Sequence, residues 1–432
     1  MRNIRYLALL LFALLTATAC SDDDNGSGNN NKKGIRNTVV MYVSAENSLG
    51  YQKFHNSDST EIMAGSQFLN SRDQMIMYVD DAQNPRIYRI YKGCRKPQLL
   101  KKFSTNLCSS DPETLRELLS WVKQTYPSER YGLVMWSHAD GWLPSWNTDY
   151  KSSKSFGIDV GTGGDMKYDT DSRSGASMEI EDLARAVSES GMRPQYIFFD
   201  ACLMQCIEVD YALRDVTDYV VACPISTPAI GANYTTLMRD GLFTGNPEDI
   251  AEKYFSYITS LPLSNVYSDF GLVISCVKTS ELENLAAETR KYISKIKAYG
   301  DDVSAAEKNY PDMSNVMNYS PYMYELFYRP HYYDLNAAMK KMLPSYEYMT
   351  WKTQLDKCIV YKNASSEFFV CYDRYDNSIY LDVDLDNYCG ISAFIPQEIY
   401  TRNANECIFG DLNEEFRYTE WYKDAGWEEA LW

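Results

Sequence analysis

Two stretches decide the fold expected of this chain: Tyr131-Gly-Leu-Val-Met-Trp-Ser-His138 and Tyr196-Ile-Phe-Phe-Asp-Ala-Cys202. Each is a short apolar run, typical of a buried strand in a parallel sheet, and each leads into a reactive side chain. Ligands of open parallel sheets bind beyond the carboxyl ends of the strands. Because neighbouring strands lie about 4.8 Å apart, two residues that leave adjacent strand ends can face one substrate carbonyl. His138 and Cys202 are therefore a candidate catalytic pair.

The chain offers very few bases for such chemistry. Its three histidines are His55, His138 and His331, and only His138 lies in a motif. A cysteine thiol has a pKa near 8.5 and attacks as the thiolate, so a neighbouring imidazole would serve to accept the thiol proton. The apolar spacing after Cys202 predicts a helix beginning at Leu203, whose N-terminal amides would stabilise negative charge on sulfur. Cys206, one helical turn later, is expected to be a packing residue.

Around these stretches, short apolar runs alternate with amphipathic helical patterns. Ser110-Asp-Pro-Glu113 predicts a helix start with a capping box, and Ile180 to Val187 repeats helical spacing before the cysteine strand. This alternation predicts an α/β fold with a mostly parallel sheet covered by helices on both faces. Further strands are expected at residues 38–43, 74–79, 86–91, 219–223 and 272–276.

The N-terminus predicts export. Arg2 and Arg5 precede an apolar run that is too short to span a bilayer and is typical of a signal peptide. Ala17-Thr-Ala-Cys20 resembles a bacterial lipobox, which would make Cys20 the lipidated first residue, and the acidic residues after it resemble the surface-export tag of Bacteroidetes lipoproteins. This implies an outer-membrane lipoprotein, exposed at the cell surface and held only by its lipid anchor. An ordinary signal peptide, cut nearby, is the alternative.

Four segments follow from these patterns. Residues 1–19 are the expected signal peptide, and residues 20–35 a lipidated, flexible polar tether. Residues 36–250 are the expected catalytic domain. Residues 251–432 are the expected C-terminal α/β extension, packed on that domain.

Charge and cysteine content exclude several functions. The net charge of −17 argues against nucleic-acid binding, which needs clustered Lys and Arg. The eleven cysteines lack the spacing of a zinc site, so no metal site is predicted. Asp382, Asp384 and Asp386 alternate like a calcium loop but lack its later glycine and glutamate, so they are expected to line a solvated strand. We expect no required cofactor; calcium is possible but unsupported by the sequence.

The chain resembles the clostripain family of cysteine peptidases, which share a caspase-like three-layer α/β/α fold. The resemblance is carried by residues 37–49, by Trp136-Ser-His138 with Gly141-Trp142, and by Phe199-Asp-Ala-Cys-Leu-Met204, the most specific of these motifs. It is looser beyond residue 250.

The resemblance implies roles for individual residues. Cys202 would be the nucleophile, His138 the general acid and base, and Asp200 the acidic determinant of the pocket for the substrate residue before the cleaved bond (P1). The amides of Ala139 and Cys202 would stabilise the oxyanion. Ala139 replaces a family glycine, and any positive φ there would be strained. The implied substrates are proteins or peptides with Arg or Lys at P1.

Residues 145–178 form a long polar interval between the two motifs, and loops of this length are usually functional or disordered. Clostripain-like enzymes often cut themselves here after a basic residue. The candidate sites are Lys151 and Lys154 first, then Lys167 and Arg173. An uncut surface loop is the alternative. Two other functions stay open: a peptidase of the same fold with another P1 preference, and a catalytically weak surface-binding lipoprotein, which the 36 tyrosines would suit.

Overall fold

The computed structural model describes residues 34–143, 155–168, 177–296, 310–320, 330–373, 375–402 and 411–430. The strands are β1 (Ile35–Ser44), β2 (Asp73–Asp80), β3 (Arg86–Tyr91), β4 (Gln98–Lys102), β5 (Ser128–Trp136), β6 (Tyr196–Asp200), β7 (Tyr219–Ala222), β8 (Val273–Lys278), β9 (Tyr333–Asp334), β10 (Ile359–Ala364), β11 (Glu367–Tyr372), β12 (Ser378–Asp382) and β13 (Ser392–Ala393).

The helices are α1 (Ser48–Tyr51), α2 (Phe54–Gly65), α3 (Pro112–Thr125), α4 (Ile180–Ser190), α5 (Ile207–Ala212), α6 (Tyr234–Asp240), α7 (Glu248–Thr259), α8 (Leu282–Ile296), α9 (Leu335–Met342), α10 (Ser345–Cys358), α11 (Glu398–Arg402), α12 (Leu412–Phe416) and α13 (Glu420–Asp424). Short 3₁₀ helices lie at Ser66–Phe68, Thr279–Glu281 and Trp427–Ala430. None of the helices in the described ranges is long and apolar enough to cross a membrane.

A nine-stranded sheet forms the centre of the molecule, in the order β10-β8-β7-β6-β5-β1-β2-β3-β4. Its five middle strands are parallel, and antiparallel strands extend both edges. Strand β1 is buried from Asn37 onward, which is why its residues 39–43 form a continuous apolar run without alternation. The predicted α/β fold is confirmed.

The chain steps from β1 to β2 in one direction along the sheet, and from β5 through β6 to β7 in the other. Because such parallel crossovers are right-handed, α2 lies on one face of the sheet and α4 on the opposite face. The direction reverses between β1 and β5, and ligands of open sheets bind outside the strand ends at such a switch point. His138, just beyond β5, lies at this position.

The helix predicted after Ser110 is present as α3. Leu115, Leu118, Leu119 and Val122 form its buried face, as the periodicity predicts. The predicted cap is wrong by one residue: Asp111 is the N-cap and accepts from the Glu113 amide at 2.9 Å. A carboxylate is a better acceptor for that amide than the Ser110 hydroxyl, which is buried and unpartnered among the described residues.

Residues beyond 250 supply β8 and β10 of the central sheet. They also contact the loops that carry His138 and Cys202, since the Tyr332 hydroxyl donates to the Asp140 carbonyl and Ser392 forms a β-bridge with Cys206. The division at residue 250 stays a prediction. The nine cysteines within the described ranges are all free thiols.

Candidate active site

His138 and Cys202 leave the sheet at the same level. Trp136, at the end of β5, pairs with Asp200, at the end of β6, and each candidate lies two residues beyond its paired residue. The loops that carry them also touch: a Cβ built on Gly141 would lie 2.8 Å from the Leu203 carbonyl oxygen. The structure thus brings both predicted residues to the carboxyl edge of adjacent strands.

The His138 side chain is partly exposed, and its Nε2 lies 2.8 Å from Ser48 Oγ. Ser48 begins α1, just after β1, so this contact spans the switch point between β1 and β5. The backbone is also fixed, because the Gly157 amide donates to the His138 carbonyl at 2.8 Å. The first contact orients the imidazole, and the second fixes the backbone that carries it.

The Cys202 thiol is held by Thr227. Sγ accepts from the Thr227 amide at 3.3 Å and lies 3.6 Å from its Oγ1. Burial raises the pKa of the Cys202 thiol, which the hydrogen bonds from Thr227 partly offset. Among the described residues, Cys202 makes no hydrogen bond to His138. In this arrangement the thiol is therefore bonded to Thr227 rather than to the imidazole.

The predicted helix at Leu203 is wrong. Helix α5 begins only at Ile207, and Leu203 has a left-handed backbone with φ 62. The preceding loop pairs instead with the chain after β7, through Leu203 N to Ile225 O at 3.0 Å and Gln205 N to Cys223 O at 3.1 Å. A left-handed backbone at leucine costs roughly 1–2 kcal/mol, and these two hydrogen bonds hold Leu203 in that conformation. Thiolate stabilisation by a helix N-terminus at Cys202 is excluded.

The two predicted oxyanion amides are available. Neither the Ala139 nor the Cys202 amide donates to a backbone carbonyl within the described ranges. Ala139 pairs with Phe156 as an isolated bridge and is not among the residues with positive φ, so the anticipated strain of alanine is absent. Replacement of the family glycine therefore costs no backbone strain here.

Asp200 is 6% exposed at the base of the edge. Its Oδ2 accepts from the Tyr234 hydroxyl at 2.9 Å and from the Ala232 amide at 3.3 Å. Burial raises the pKa of this carboxyl, and the two donors only partly compensate. Gly231 has φ 64, and a Cβ there would lie 2.9 Å from Asp200 Oδ2, so glycine keeps that side of the carboxylate open.

Two further acids, Asp58 and Glu61 of α2, interact electrostatically with Asp200, and the sequence motifs did not reveal this cluster of three acids, the acidic pocket. Burial, with the charges of Asp200 and Glu61, raises the pKa of Asp58 to about 9. Burial also raises the pKa of Glu61, which accepts from the Tyr234 amide at 2.7 Å. The one available signal was their three-residue spacing, which places both acids on one helix face.

The remaining predicted residues add little to the description of the active site. Lys167 is exposed in a turn, where its amide donates to Asp165 Oδ1 at 2.9 Å and its Nζ lies 4.8 Å from the Tyr168 ring centroid. The other candidates, Lys151, Lys154, Arg173 and Cys20, lie outside the described residues. His55 pairs with Asp81 at 3.2 Å, as expected of a structural histidine.

The model of the clostripain family matches residues 41–432. A secreted C11 cysteine protease from Bacteroides thetaiotaomicron, solved with an irreversible peptide inhibitor, is 25% identical, with TM-score 0.72 and coverage of 91% of this chain and 99% of that chain. An inactive zymogen C11 protease from Parabacteroides distasonis is 27% identical, with TM-score 0.71 and coverage of 91% and 99%. No curated protein matches the chain.

Proposed function

Because this chain belongs to the clostripain family and is a cysteine peptidase, we propose that it cleaves peptide bonds after Arg or Lys with Cys202 as nucleophile and His138 as acid and base. The assignment rests on the pairing of Trp136 with Asp200. His138 and Cys202 each lie two residues beyond one of these paired residues, so both leave the sheet at the same edge.

The reaction follows from this placement. His138 takes the thiol proton as Sγ attacks the scissile carbonyl carbon, and the Ala139 and Cys202 amides donate to the resulting oxyanion. His138 then gives the proton to the leaving amine as the C–N bond breaks, which leaves a thioester on Cys202. Water, deprotonated by His138, hydrolyses the thioester, and the thiol regains its proton.

The acidic pocket (Asp58, Glu61 and Asp200) supports the choice of a basic P1 residue. Burial raises the pKa of all three carboxyls, so a nearby positive charge would stabilise the charged form of each. A guanidinium or ammonium group would pair with carboxylates that are already desolvated, and such charge-assisted hydrogen bonds are the strong ones. An acidic P1 residue would add another charge of the same sign. The pocket therefore favours Arg or Lys over Asp.

The test is active-site labelling with electrophilic peptide probes that carry Arg, Lys, Asn or Asp at P1. We expect wild-type protein to react with the Arg and Lys probes, and Cys202→Ala and His138→Ala to remain unlabelled. Cys206→Ala, which removes a buried thiol four residues away, is the matched control and should label normally. Labelling of Cys202→Ala would refute the nucleophile, while preferential labelling by the Asn or Asp probe would refute the specificity alone.

Self-processing between His138 and Cys202 is part of the proposal, with Lys151 or Lys154 as first sites and Lys167 or Arg173 as alternatives. Its support is the long polar interval and the zymogen description of the Parabacteroides distasonis protein. We expect the intact mass of purified wild type to show two fragments and that of Cys202→Ala to show one chain. Identical single chains in both would refute self-processing.

We also propose lipidation at Cys20 and display at the outer-membrane surface. The supporting observations are the signal-like N-terminus and the description of the Bacteroides thetaiotaomicron protein as secreted. Metabolic labelling with a clickable fatty acid should mark wild type and not Cys20→Ala. Equal labelling of both proteins would refute the anchor.

A further inference from the structure

Five aromatic side chains form a continuous cluster at the surface of the β11–β12 hairpin. Phe369 lies at its centre, with its ring centroid 4.4 Å from that of Phe270 and 4.9 Å from that of Tyr372. The Tyr380 ring lies 5.9 Å from Phe369, and the Tyr267 ring lies 5.0 Å from Phe270. Phe369 is 9% exposed and Tyr372 is 55% exposed, and the other three rings are half-buried. We call these five residues the aromatic face. Apolar side chains that are grouped at a surface, and not scattered singly, are typical of a binding site.

Three exposed acids surround the aromatic face. In the hairpin, Phe369 pairs with Tyr380, and Glu367 pairs with Asp382. Because residues two apart in a strand share a face, the two acids lie opposite each other beside the two rings. The third acid, Asp269, accepts from the Tyr380 hydroxyl at 2.8 Å. All three acids are therefore next to Tyr380 on the same side of the hairpin.

These acids have no positive partner within the described ranges, where no Lys, Arg or His forms an ion pair with Asp269, Glu367 or Asp382. Like charges directly opposite one another destabilise a strand pair. Burial, with the bond to Asp269 and the charges of Asp269 and Glu367, raises the pKa of Tyr380. Negative charge around apolar rings is the pattern that complements a cationic partner.

The aromatic face lies at the catalytic edge of the sheet. Strand β8 runs antiparallel to β7, so its first residue, Val273, lies at the edge where β6 and β7 end. Strand β10 ends at the same edge, since Ala364 pairs with Val273. The hairpin follows β10 directly, and Phe369 N donates to Phe270 O, just before β8, at 2.7 Å. Strands β6 and β8 are two spacings apart, about 10 Å, which roughly three residues of an extended peptide cover. A polypeptide bound at Cys202 is therefore long enough to continue onto the aromatic face.

We propose that the aromatic face, with Asp269, Glu367 and Asp382, is an exosite that binds a Lys- or Arg-rich segment of a polypeptide substrate, several residues away from the cleaved bond. The inference rests on the proposed peptidase function and adds a second point of substrate selection. A guanidinium or ammonium group is attracted to the face of a Tyr or Phe ring. Its donors can also pair with the surrounding carboxylates, and charge-assisted hydrogen bonds are stronger than neutral ones. Basic polypeptides would therefore be preferred over short basic peptides.

The binding test uses full-length Cys202→Ala, so that the probe is not cut. The probe is a fluorescent peptide of alternating Lys and Gly, about twelve residues and roughly 40 Å long when extended. We expect it to bind in fluorescence anisotropy, more weakly as NaCl is raised, and a Glu-Gly peptide of the same length not to bind. Binding of soluble starch in place of the Lys-Gly peptide would overturn the proposal in favour of a carbohydrate site.

Glu367→Gln with Asp382→Asn, in the same background, decides where the peptide binds. The double variant removes two like charges that face each other, so it should fold at least as well as its parent. We expect Kd for the Lys-Gly peptide to rise about fivefold, as two exposed ion pairs of ordinary strength predict. Glu189→Gln with Asp215→Asn removes two exposed charges elsewhere and should leave Kd unchanged. No binding by the parent, or equal binding by both double variants, would overturn the proposal.

A kinetic test separates the exosite from the catalytic centre. With Cys202 intact, the double variant of Glu367 and Asp382 should cleave a four-residue Arg substrate as fast as wild type. Its kcat/KM for protamine, a basic polypeptide, should be about fivefold lower. An equal fall for both substrates would overturn the exosite, because the variant would then act on the catalytic centre. If wild type does not cleave the short Arg substrate, the proposed peptidase specificity is refuted, while the binding test on Cys202→Ala still decides the exosite.

Discussion

Asp58 provides a quantitative check on the acidic pocket. Burial, with the charges of Asp200 and Glu61, raises its pKa to about 9, against an ordinary value of 3.8. The folded protein therefore keeps this carboxyl protonated between those two values, whereas the unfolded chain releases the proton. The stability that Asp58 contributes is complete below pH 3.8 and is lost as the pH rises toward about 9.

Asp58→Asn replaces the neutral acid by a neutral amide of the same shape and removes this proton. A difference of one bound proton changes the free energy of unfolding by about 1.36 kcal/mol per pH unit. Between pH 5 and pH 8, the variant should therefore gain up to about 4 kcal/mol relative to wild type. Proton sharing with Asp200 and Glu61 can only reduce this slope, because the three carboxyls would titrate jointly.

The assay is urea unfolding of the Cys202→Ala background with and without Asp58→Asn, at pH 5, 6, 7 and 8. Asp215→Asn is the control, because its side chain is 76% exposed, and the free-energy difference from its parent should not depend on pH. A flat difference between the Asp58 variant and its parent would show that Asp58 ionises normally. That result would remove the charge argument for the acidic pocket.

Three other expectations follow from single contacts. Thr227→Val removes the hydroxyl beside Sγ and so should raise the pKa of Cys202 further. The pH profile of iodoacetamide alkylation should then shift to higher pH, and an unchanged profile would contradict the prediction. Ser48→Ala removes the bond to His138 Nε2, and its typical value of about 0.5–1.5 kcal/mol predicts a loss of kcat of about 2- to 13-fold with KM unchanged; a change in KM alone would contradict this role. Gly231→Ala forces alanine into a backbone with φ 64, with its Cβ against the Asp200 carboxylate. It should lower the free energy of unfolding by at least about 1 kcal/mol and raise KM for basic peptides. An unchanged melting temperature would refute the prediction.

The sequence by itself determined the parts of this protein that depend on local pattern. The apolar runs that end near His138 and Cys202 predicted β5 and β6, because strands buried on both faces need uninterrupted apolar residues. The spacing of Leu115, Leu118, Leu119 and Val122 predicted the buried face of α3. The nucleophile motif identified the family without any knowledge of contacts.

Tertiary structure alone decided what depends on residues distant in the chain. Leu203 was expected to begin a helix, but bonds from the chain after β7 hold it in a left-handed turn instead. The pKa of Asp58 depends on Asp200, more than a hundred residues later, and no local pattern records that neighbour. Glu46, Asp80 and Asp159 come from three separate segments, and only the fold brings their carboxyl oxygens within 4.8 Å of one another. Short-range patterns fix elements, whereas burial and charge depend on which distant segments the fold brings together.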